Sequence, residues 1–419
     1  MTKQTNLVPK RRFKEFQNTH AWEQHKLGEQ LELENGYAFK SKYFQDETTK
    51  EIVLTPGNVN IGGGFQDGKG HYYDVSGIFP QKFVMKPGDI FVTMTDLTPS
   101  AQALGFPAFI PNDGNVYLHN QRLGKLINYD VNKDFLFHLL CTEQYHKQIV
   151  LTASGTTVKH SSPQKILDCL VGIPSIEEQE KIGIFFRDLN NLITLHQRKL
   201  EKTKALKSAY LSDMFPAEGE REPKRRFAGF THAWEQRKLG EVADIIGGGT
   251  PSTSNEEYWD GDIDWYAPVE IGEQTYIDSS QKKITELGLQ KSSAKVLPIG
   301  TVLFTSRAGI GNTAILAKEG ATNQGFQSIV PHKDKLDSYF IYSRTHELKR
   351  YGETNGAGST FVEVSGKQMA KMPMLIPTLE EQKKIGGFFE RLDHLIALHQ
   401  RKLEKLQNIK KAYLNDMFV

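Results

Sequence analysis

Residues 173–215 read IPSIEEQEKIGIFFRDLNNLITLHQRKLEKTKALKSAYLSDMF. Ile182, Phe186, Leu189, Ile193, His196 and Leu200 follow one another at steps of 4, 3, 4, 3 and 4. That mean spacing of about 3.5 is the seam of a coiled coil. Leu206, Tyr210 and Met214 continue the stripe after a slight slip. Pro174 precedes the run, Ser175 is a candidate N-cap, and Glu178 three residues on completes a capping-box pattern. A helix over 176–213 would be about 57 Å long at 1.5 Å per residue. An apolar stripe of that length needs a partner.

The chain supplies one. Ile376–Gln382 reads IPTLEEQ against IPSIEEQ at Ile173–Gln179, and LHQRKLEK occurs at both Leu195 and Leu398. AYLSDMF at Ala209 is answered by AYLNDMF at Ala412, 203 positions on. Ile385, Phe389, Leu392, Ile396, His399, Leu403 and Leu406 repeat the seam, and Pro377, Thr378 and Glu381 repeat the start. A second matched stretch precedes each unit: THAWEQHKLGE at Thr19 and THAWEQRKLGE at Thr231, each led by PKRRF, at Pro9 and Pro223. Its offset is 212. Between the matched ends, residues 30–172 and 242–375 hardly match, and their lengths differ by the nine positions that separate the two offsets.

Two matched frames therefore hold two unlike inserts. A duplicated enzyme would keep its chemistry in both copies, whereas a duplicated recognition module would keep its frame and change what it reads. The boundaries are a first variable domain over 1–172, a first long helix over 173–215, a linker over 216–230, a second variable domain over 231–375 and a second long helix over 376–419. The first helix must deliver the chain to the second domain, and the second can pack back toward the first, so the helices are expected to pair antiparallel. The fold class is α+β: two α/β domains separated by two long antiparallel helices forming a coiled coil, in a pseudo-two-fold repeat. Two separate amphipathic helices, each lying on its own domain, are the alternative. His196 and His399 fall in the seam, where polar residues fix register; a metal pair or a pH switch is the other reading.

Composition narrows the function. Lys and Arg number 52 against 50 Asp and Glu, a net charge of +2, so any nucleic-acid binding must come from local basic patches. Cys141 and Cys169 are the two cysteines, without the spacing of a zinc site or a disulfide framework, and read as reduced thiols. The first residues lack the apolar core of a secretion signal, and no run of about 18 apolar residues exists. A cytoplasmic location without a membrane partner is expected. No Gly-Lys pair is followed by Ser or Thr, which excludes a P-loop, and HExxH, GxSxG and the Asn/Asp-Pro-Pro-Tyr of amino-methyltransferases are missing. Ala308-Gly309-Ile310-Gly311 lacks the full dinucleotide fingerprint and reads as a loop. No metal site is expected.

Both inserts read as mixed α/β. GDIFVT at Gly88 and GTVLFT at Gly300 follow Pro87 and Pro298, as turns into core strands, and Asp134–Lys147 and Asp337–Arg350 read as equivalent helical stretches. The domains should share a fold and differ on the surface. Trp22 and Trp234 lie in the matched frame and are expected to be buried. The loops Gly62–Tyr73, Thr156–Ser162, Gly247–Asn255 and Ser306–Thr313 are rich in Gly, Ser, Thr, Asn, Gln and Lys. Gly-rich backbone approaches phosphate closely, and these side chains donate to phosphate or read base edges. Candidates for DNA contact are Gln66, Lys69, Lys159, His160 and Ser161 in the first domain, and Gly248, Thr250, Ser252, Arg307, Asn323 and Gln324 in the second. Each loop taken singly also reads as an ordinary solvated turn.

With IPSIEEQ/IPTLEEQ leading into LHQRKLEK, the AWEQxKLGE stretches, and GGGTPSTSNEEYW followed by GDIDWY at Gly261, the chain resembles the specificity subunits of Type I restriction–modification enzymes. The first domain departs from the GGTPS pattern, offering NGYAFK at Asn35–Lys40, which adds Lys40 and Lys42 as candidates. The resemblance implies two target-recognition domains, each reading one half of a split site in double-stranded DNA, with the helices setting the spacer. It implies two modification subunits as partners, methylating adenine with S-adenosylmethionine, and in some complexes restriction subunits using ATP and Mg. No catalytic residue and no cofactor are expected in this chain. A stand-alone methyltransferase or nuclease, and a coiled-coil scaffold that binds no DNA, are the rival readings.

Overall fold

The computed structural model describes residues 7–74, 76–272, 274–307, 309–357 and 363–419. The chain divides into two compact units. One takes in residues up to His196 together with Lys402–Val419; the other is Gln197–Arg401. The two long helices run Ile176–Asp213 and Leu379–Asp416. Each begins in one unit and ends in the other, so each unit holds the start of one helix and the end of the other, an antiparallel arrangement.

The first unit is closed by strand Glu23–Lys26, which pairs antiparallel with Leu170–Ile173 in the register Glu23↔Ile173. This ladder joins the matched frame on both sides of the insert. Between its strands lies a four-stranded sheet in the order Glu32–Asn35, Leu123–Ile127, Ile90–Thr93, Pro107–Phe109. Its strand Ile90–Thr93, led by Pro87, is buried throughout. A five-stranded sheet of short strands stands beside it, ordered Phe44–Gln45, His71–Tyr73, Glu51–Val53, Val116–Leu118, Val84–Met85.

The second unit repeats the closing ladder with Glu235–Lys238 against Pro373–Ile376. Its main sheet is ordered Ala243–Gly247, Gln327–Pro331, Val302–Phe304, Thr313–Leu316, Tyr276–Ile277. The first four strands answer the four of the first unit one for one. The companion sheet has instead three strands: Lys282–Ile284, Trp259–Tyr266 and Ala321–Thr322. The inserts thus share a central sheet and differ in what is added to it.

Each expected helical stretch is two short helices. Lys133–Leu139 gives way to Glu143–Thr152 because Thr142 is extended and accepts from the Tyr145 N–H, capping a new start. Ser338–Ser343 and Thr345–Asn355 are divided at Arg344, whose backbone leaves the helical region.

The matched frame fastens each domain to its helix. Gln179 Oε1 accepts from the Asn132 N–H at 2.8 Å and its Nε2 donates to the Pro174 carbonyl at 2.9 Å. Gln382 does the same with Asp337 and Pro377. Asn132 and Asp337 are themselves the N-caps of the short helices that pack on the long ones. Close approach there requires glycine: a Cβ on Gly183 would lie 2.7 Å from Asn132 Oδ1, and one on Gly386 2.6 Å from Asp337 Oδ1.

The capping box at each helix start is only half formed. Ser175 Oγ and Thr378 Oγ1 accept from the N–H groups of Glu178 and Glu381 at 3.4 Å. The two carboxylates turn away to arginine. Arg12 donates to Glu178 through Nε at 2.7 Å and Nη2 at 2.6 Å; Arg226 donates to Glu381 at 2.7 and 2.8 Å. A bidentate charged pair outcompetes one backbone N–H. The Glu381 carboxylate accordingly holds the Arg226 guanidinium above its ordinary range. The PKRRF arms also grip the far helix ends: Arg11 N–H donates to the Asp416 carbonyl and Arg225 N–H to that of Asp213, both at 2.8 Å.

The seam residues lie in these junctions. Ile182, Phe186 and Leu189 are buried in a core with Trp22, Phe135 and Phe418, and Ile193 is partly buried beside it. Ile385, Phe389 and Leu392 are buried with Trp234, Phe340 and Phe215. Phe186 and Phe418 lie 5.8 Å apart, as do Phe389 and Phe215. Leu200 and Leu403 are buried and Ile396 half-buried. His196 is buried and His399 half-buried. Among the described residues no group of three or more His, Cys, Asp or Glu could hold a metal. Cys141 and Cys169 are free and buried, and desolvation pushes their thiols up to about 12 and about 11. No described helix is long and apolar enough to cross a membrane.

Candidate nucleic-acid interface

At one end of the central sheet in the second unit, three loops meet. Gly249 N–H donates to the Thr322 carbonyl at 2.8 Å, and Gly248 lies so close to Asn323 that any Cβ would run into its carbonyl. Thr250 donates its hydroxyl to the Gln324 side-chain oxygen. Asn323 forms its own turn, its Oδ1 accepting from the Gly325 N–H at 2.7 Å. The Ser306 N–H donates to the Gly325 carbonyl at 2.8 Å, and the Val364 N–H to the Ser306 carbonyl at 3.1 Å. Gly248, Thr250, Asn323 and Gln324 are therefore one cluster, and Arg307 stands one residue beyond Ser306. Ser252 is exposed further along the first loop; its hydroxyl meets Ser254 at 2.8 Å and its carbonyl accepts from Trp259 Nε1 at 3.1 Å. Trp265 Nε1 fixes the base of the loop by donating to the Gly249 carbonyl at 2.8 Å. Ala308 lies outside the described residues.

The first unit builds the same scaffold from different residues. Tyr37 N–H donates to the His119 carbonyl at 2.8 Å, and a Cβ on Gly36 would run into the Asn120 carbonyl. Asn120 Oδ1 accepts from the Arg122 N–H at 3.0 Å. The Met94 N–H donates to the Arg122 carbonyl at 2.9 Å, and the Ser161 N–H to the Met94 carbonyl at 3.0 Å. Gly36, Tyr37 and Met94 answer Gly248, Gly249 and Ser306 at offset 212, while Asn120, Arg122 and Ser161 answer Asn323, Gly325 and Val364 at offset 203.

This places the first-domain candidates. Lys159 and His160 pair with Asp96 and Thr95, and His160 Nδ1 lies 3.2 Å from Thr95 Oγ1. Ser161 follows, its hydroxyl buried without a partner among the described residues. Lys40 is exposed at the position that answers Ser252, and the Lys42 ammonium lies 4.7 Å from the centre of the Tyr43 ring. Gln66 and Lys69 belong to another loop, whose carbonyls accept from Asn58 and Thr55 at 2.9 and 2.8 Å. A cavity of about 230 Å³ beside the cluster is lined by Phe39, Phe44, Thr55, His71, Gln121 and Arg122, among others, and not by Gln66 or Lys69.

Charge favours an anion. The cluster of the second unit carries Arg307 and no carboxylate in its 248–250, 305–307 and 323–325 segments, with Glu363 beside Val364 as its one acidic neighbour in the fourth segment. That of the first carries Lys40, Arg122 and Lys159. Its one carboxylate, Asp96, is occupied by the N–H groups of Thr98 and Ala103 at 2.7 and 2.5 Å. Asn120, Gln121 and Arg122 are not among the residues singled out from sequence. Their signal was present as an Asn-Gln pair at both Asn120 and Asn323, at the offset of the long helices.

Comparison with known proteins defines the class. The family model described as the Type I restriction modification DNA specificity domain matches residues 20–205 and again 232–408. The chain belongs to this family and carries its domain twice. It is 34 % identical over 189 residues to the Type I restriction enzyme MjaIX specificity subunit of Methanocaldococcus jannaschii, a match spanning 44 % of each protein. It is 24 % identical to the putative MjaX specificity subunit of the same organism, over 80 % of this chain and 78 % of that one. The matched region is thus under half the length of the MjaIX subunit. In fold, the chain is similar to the S subunit of a Type I restriction–modification system from M. genitalium, with a TM-score of 0.65 at 14 % identity over 99 % of both chains.

Proposed function

We propose that this chain is the DNA-reading, non-catalytic subunit of a Type I restriction–modification complex in the cytoplasm. Each target-recognition domain reads one half of a split site in double-stranded DNA through its loop cluster, and the paired helices set the number of unread base pairs between the halves. Two modification subunits dock on the chain and methylate an adenine in each half with S-adenosylmethionine, the adenine being flipped out of the stack for reaction. Restriction subunits, where present, use ATP and Mg. The observation that carries this reading is that one backbone scaffold, built twice, presents Lys40, Thr95 and Arg122 in one copy and Ser252, Arg307 and Gly325 at the same places in the other. Methylome sequencing of cells holding the modification subunits, with and without this chain, tests it. A two-part adenine-methylated site that depends on the chain is expected. Methylation by the purified chain alone, or an unchanged methylome, would refute it.

A further inference from the structure

Residues that differ between the two clusters can encode two different half-sites. Residues that are the same, on the same scaffold, cannot. The Asn-Gln pair is the same: Asn120-Gln121 and Asn323-Gln324 lie within inserts that otherwise hardly match. Around it nearly everything changes. Lys40 stands opposite Ser252, Thr95 opposite Arg307, Arg122 opposite Gly325, and His160 opposite Glu363.

The asparagine has a structural task in both copies. Its Oδ1 accepts from the N–H two residues on, at 3.0 and 2.7 Å, and its carbonyl is pressed by Gly36 or Gly248. The glutamine has no such task. Gln121 and Gln324 are both exposed at the tip of the turn. Gln121 makes no side-chain hydrogen bond to a described residue, and Gln324 only accepts from Thr250. A glutamine amide carries a donor and an acceptor side by side, which matches adenine N7 and N6 in the major groove.

We infer that Gln121 and Gln324 are equivalent base-reading residues that recognise an A·T pair placed alike in the two half-sites. This rests on the reading of the chain as a DNA-specificity subunit. It also accords with one chemical demand of that reading: the same modifying partner works in both halves, so each half must present an adenine.

The test uses the chain assembled with its modification subunits and a duplex carrying its methylated site. Each base pair of both halves is replaced in turn and the loss of binding measured. For the unaltered complex, replacing a bidentately read pair weakens binding roughly 5- to 150-fold. In Gln121→Ala one such penalty should vanish in the first half alone, and in Gln324→Ala one in the second half alone. The two silenced positions should both be A·T pairs at the same distance from the modified adenine. Gln121→Glu, an acceptor-only side chain of the same shape, should shift that position toward C·G. Silenced positions of different identity or distance would overturn the assignment. So would a uniform weakening with every penalty retained, the mark of a phosphate contact. If the unaltered complex shows no base-specific penalty in either half, the functional reading itself fails, and not merely this assignment.

Discussion

Removing Glu178 should release the first domain from its helix. The Arg12 and Glu178 side chains are 6 % and 1 % exposed, and two charged hydrogen bonds join them. With the carboxylate gone, the guanidinium keeps, among the described residues, the carbonyls of His20 at 3.1 Å and Thr19 at 3.4 Å. Breaking one partner of a buried pair costs about 3–5 kcal/mol, and those two carbonyls place Glu178→Ala near the lower end. Because the chain forms two units, a single global unfolding energy would be ill defined. Amide hydrogen exchange in the ladder Glu23–Lys26/Leu170–Ile173 is the suitable assay. A loss of about 3 kcal/mol in local opening should speed exchange roughly 100-fold there. The double variant Arg12→Met/Glu178→Leu, which removes both charges, should recover much of that loss. A change under about threefold in Glu178→Ala, or a double variant no better than the sum of the singles, would refute the clamp.

Phe418→Ala removes a ring packed on Trp22, Phe135 and Phe186 and should destabilise the first unit by about 3–5 kcal/mol, read as a loss of protection in the same ladder. Burial depresses His119 to about 4 and His138 to about 3, so the unfolded chain takes up protons near pH 6.5 that the folded chain refuses. Stability of the first unit should therefore be full above pH 6.5 and fall by up to about 1.4 kcal/mol per pH unit per histidine toward pH 4; a denaturation series in which His138→Gln is as steep as the parent would count against this. Gly248→Val should displace the loop from Asn323 and weaken binding to the second half-site by tenfold or more, on the scale of about 1–3 kcal/mol for a lost base contact, while leaving circular dichroism unchanged. Inserting four residues into the first long helix should change the preferred spacer and leave both half-site sequences intact, as methylome sequencing would show.

The long helices were legible because their seam repeats at a fixed interval and the chain writes it twice. The duplicated frame was legible for the same reason. What the frame does was not. Glu178 sits where a capping box would have it, but its partner Arg12 is 166 positions away, and no local spacing encodes such a contact. Gln179 likewise acts on Asn132, across the insert. The stretch Asp134–Lys147 carries helical periodicity throughout, yet Thr142 offers its hydroxyl to a backbone N–H and divides it, a local competition that periodicity cannot see. The five-stranded sheet of the first domain is made of strands of two or three residues, too short to show alternation. In the candidate interface, loop composition pointed to Lys159, Gly248 and Thr250, and the base-reading capacity of its amide to Gln324. Asn120–Arg122 escaped because a three-residue turn between strands carries no Gly-rich signature.

The loops of each cluster are tied together almost wholly by main-chain atoms: Tyr37 to His119, Met94 to Arg122, Ser161 to Met94, and their counterparts in the second copy. Main-chain groups are supplied by nearly every amino acid alike. Side chains mounted on such a lattice are interchangeable parts, with Gly36 and Gly248 as the fixed points. On the function proposed above, a lineage carrying this chain can respell either half of its vocabulary by point substitution without loosening the page on which it is written.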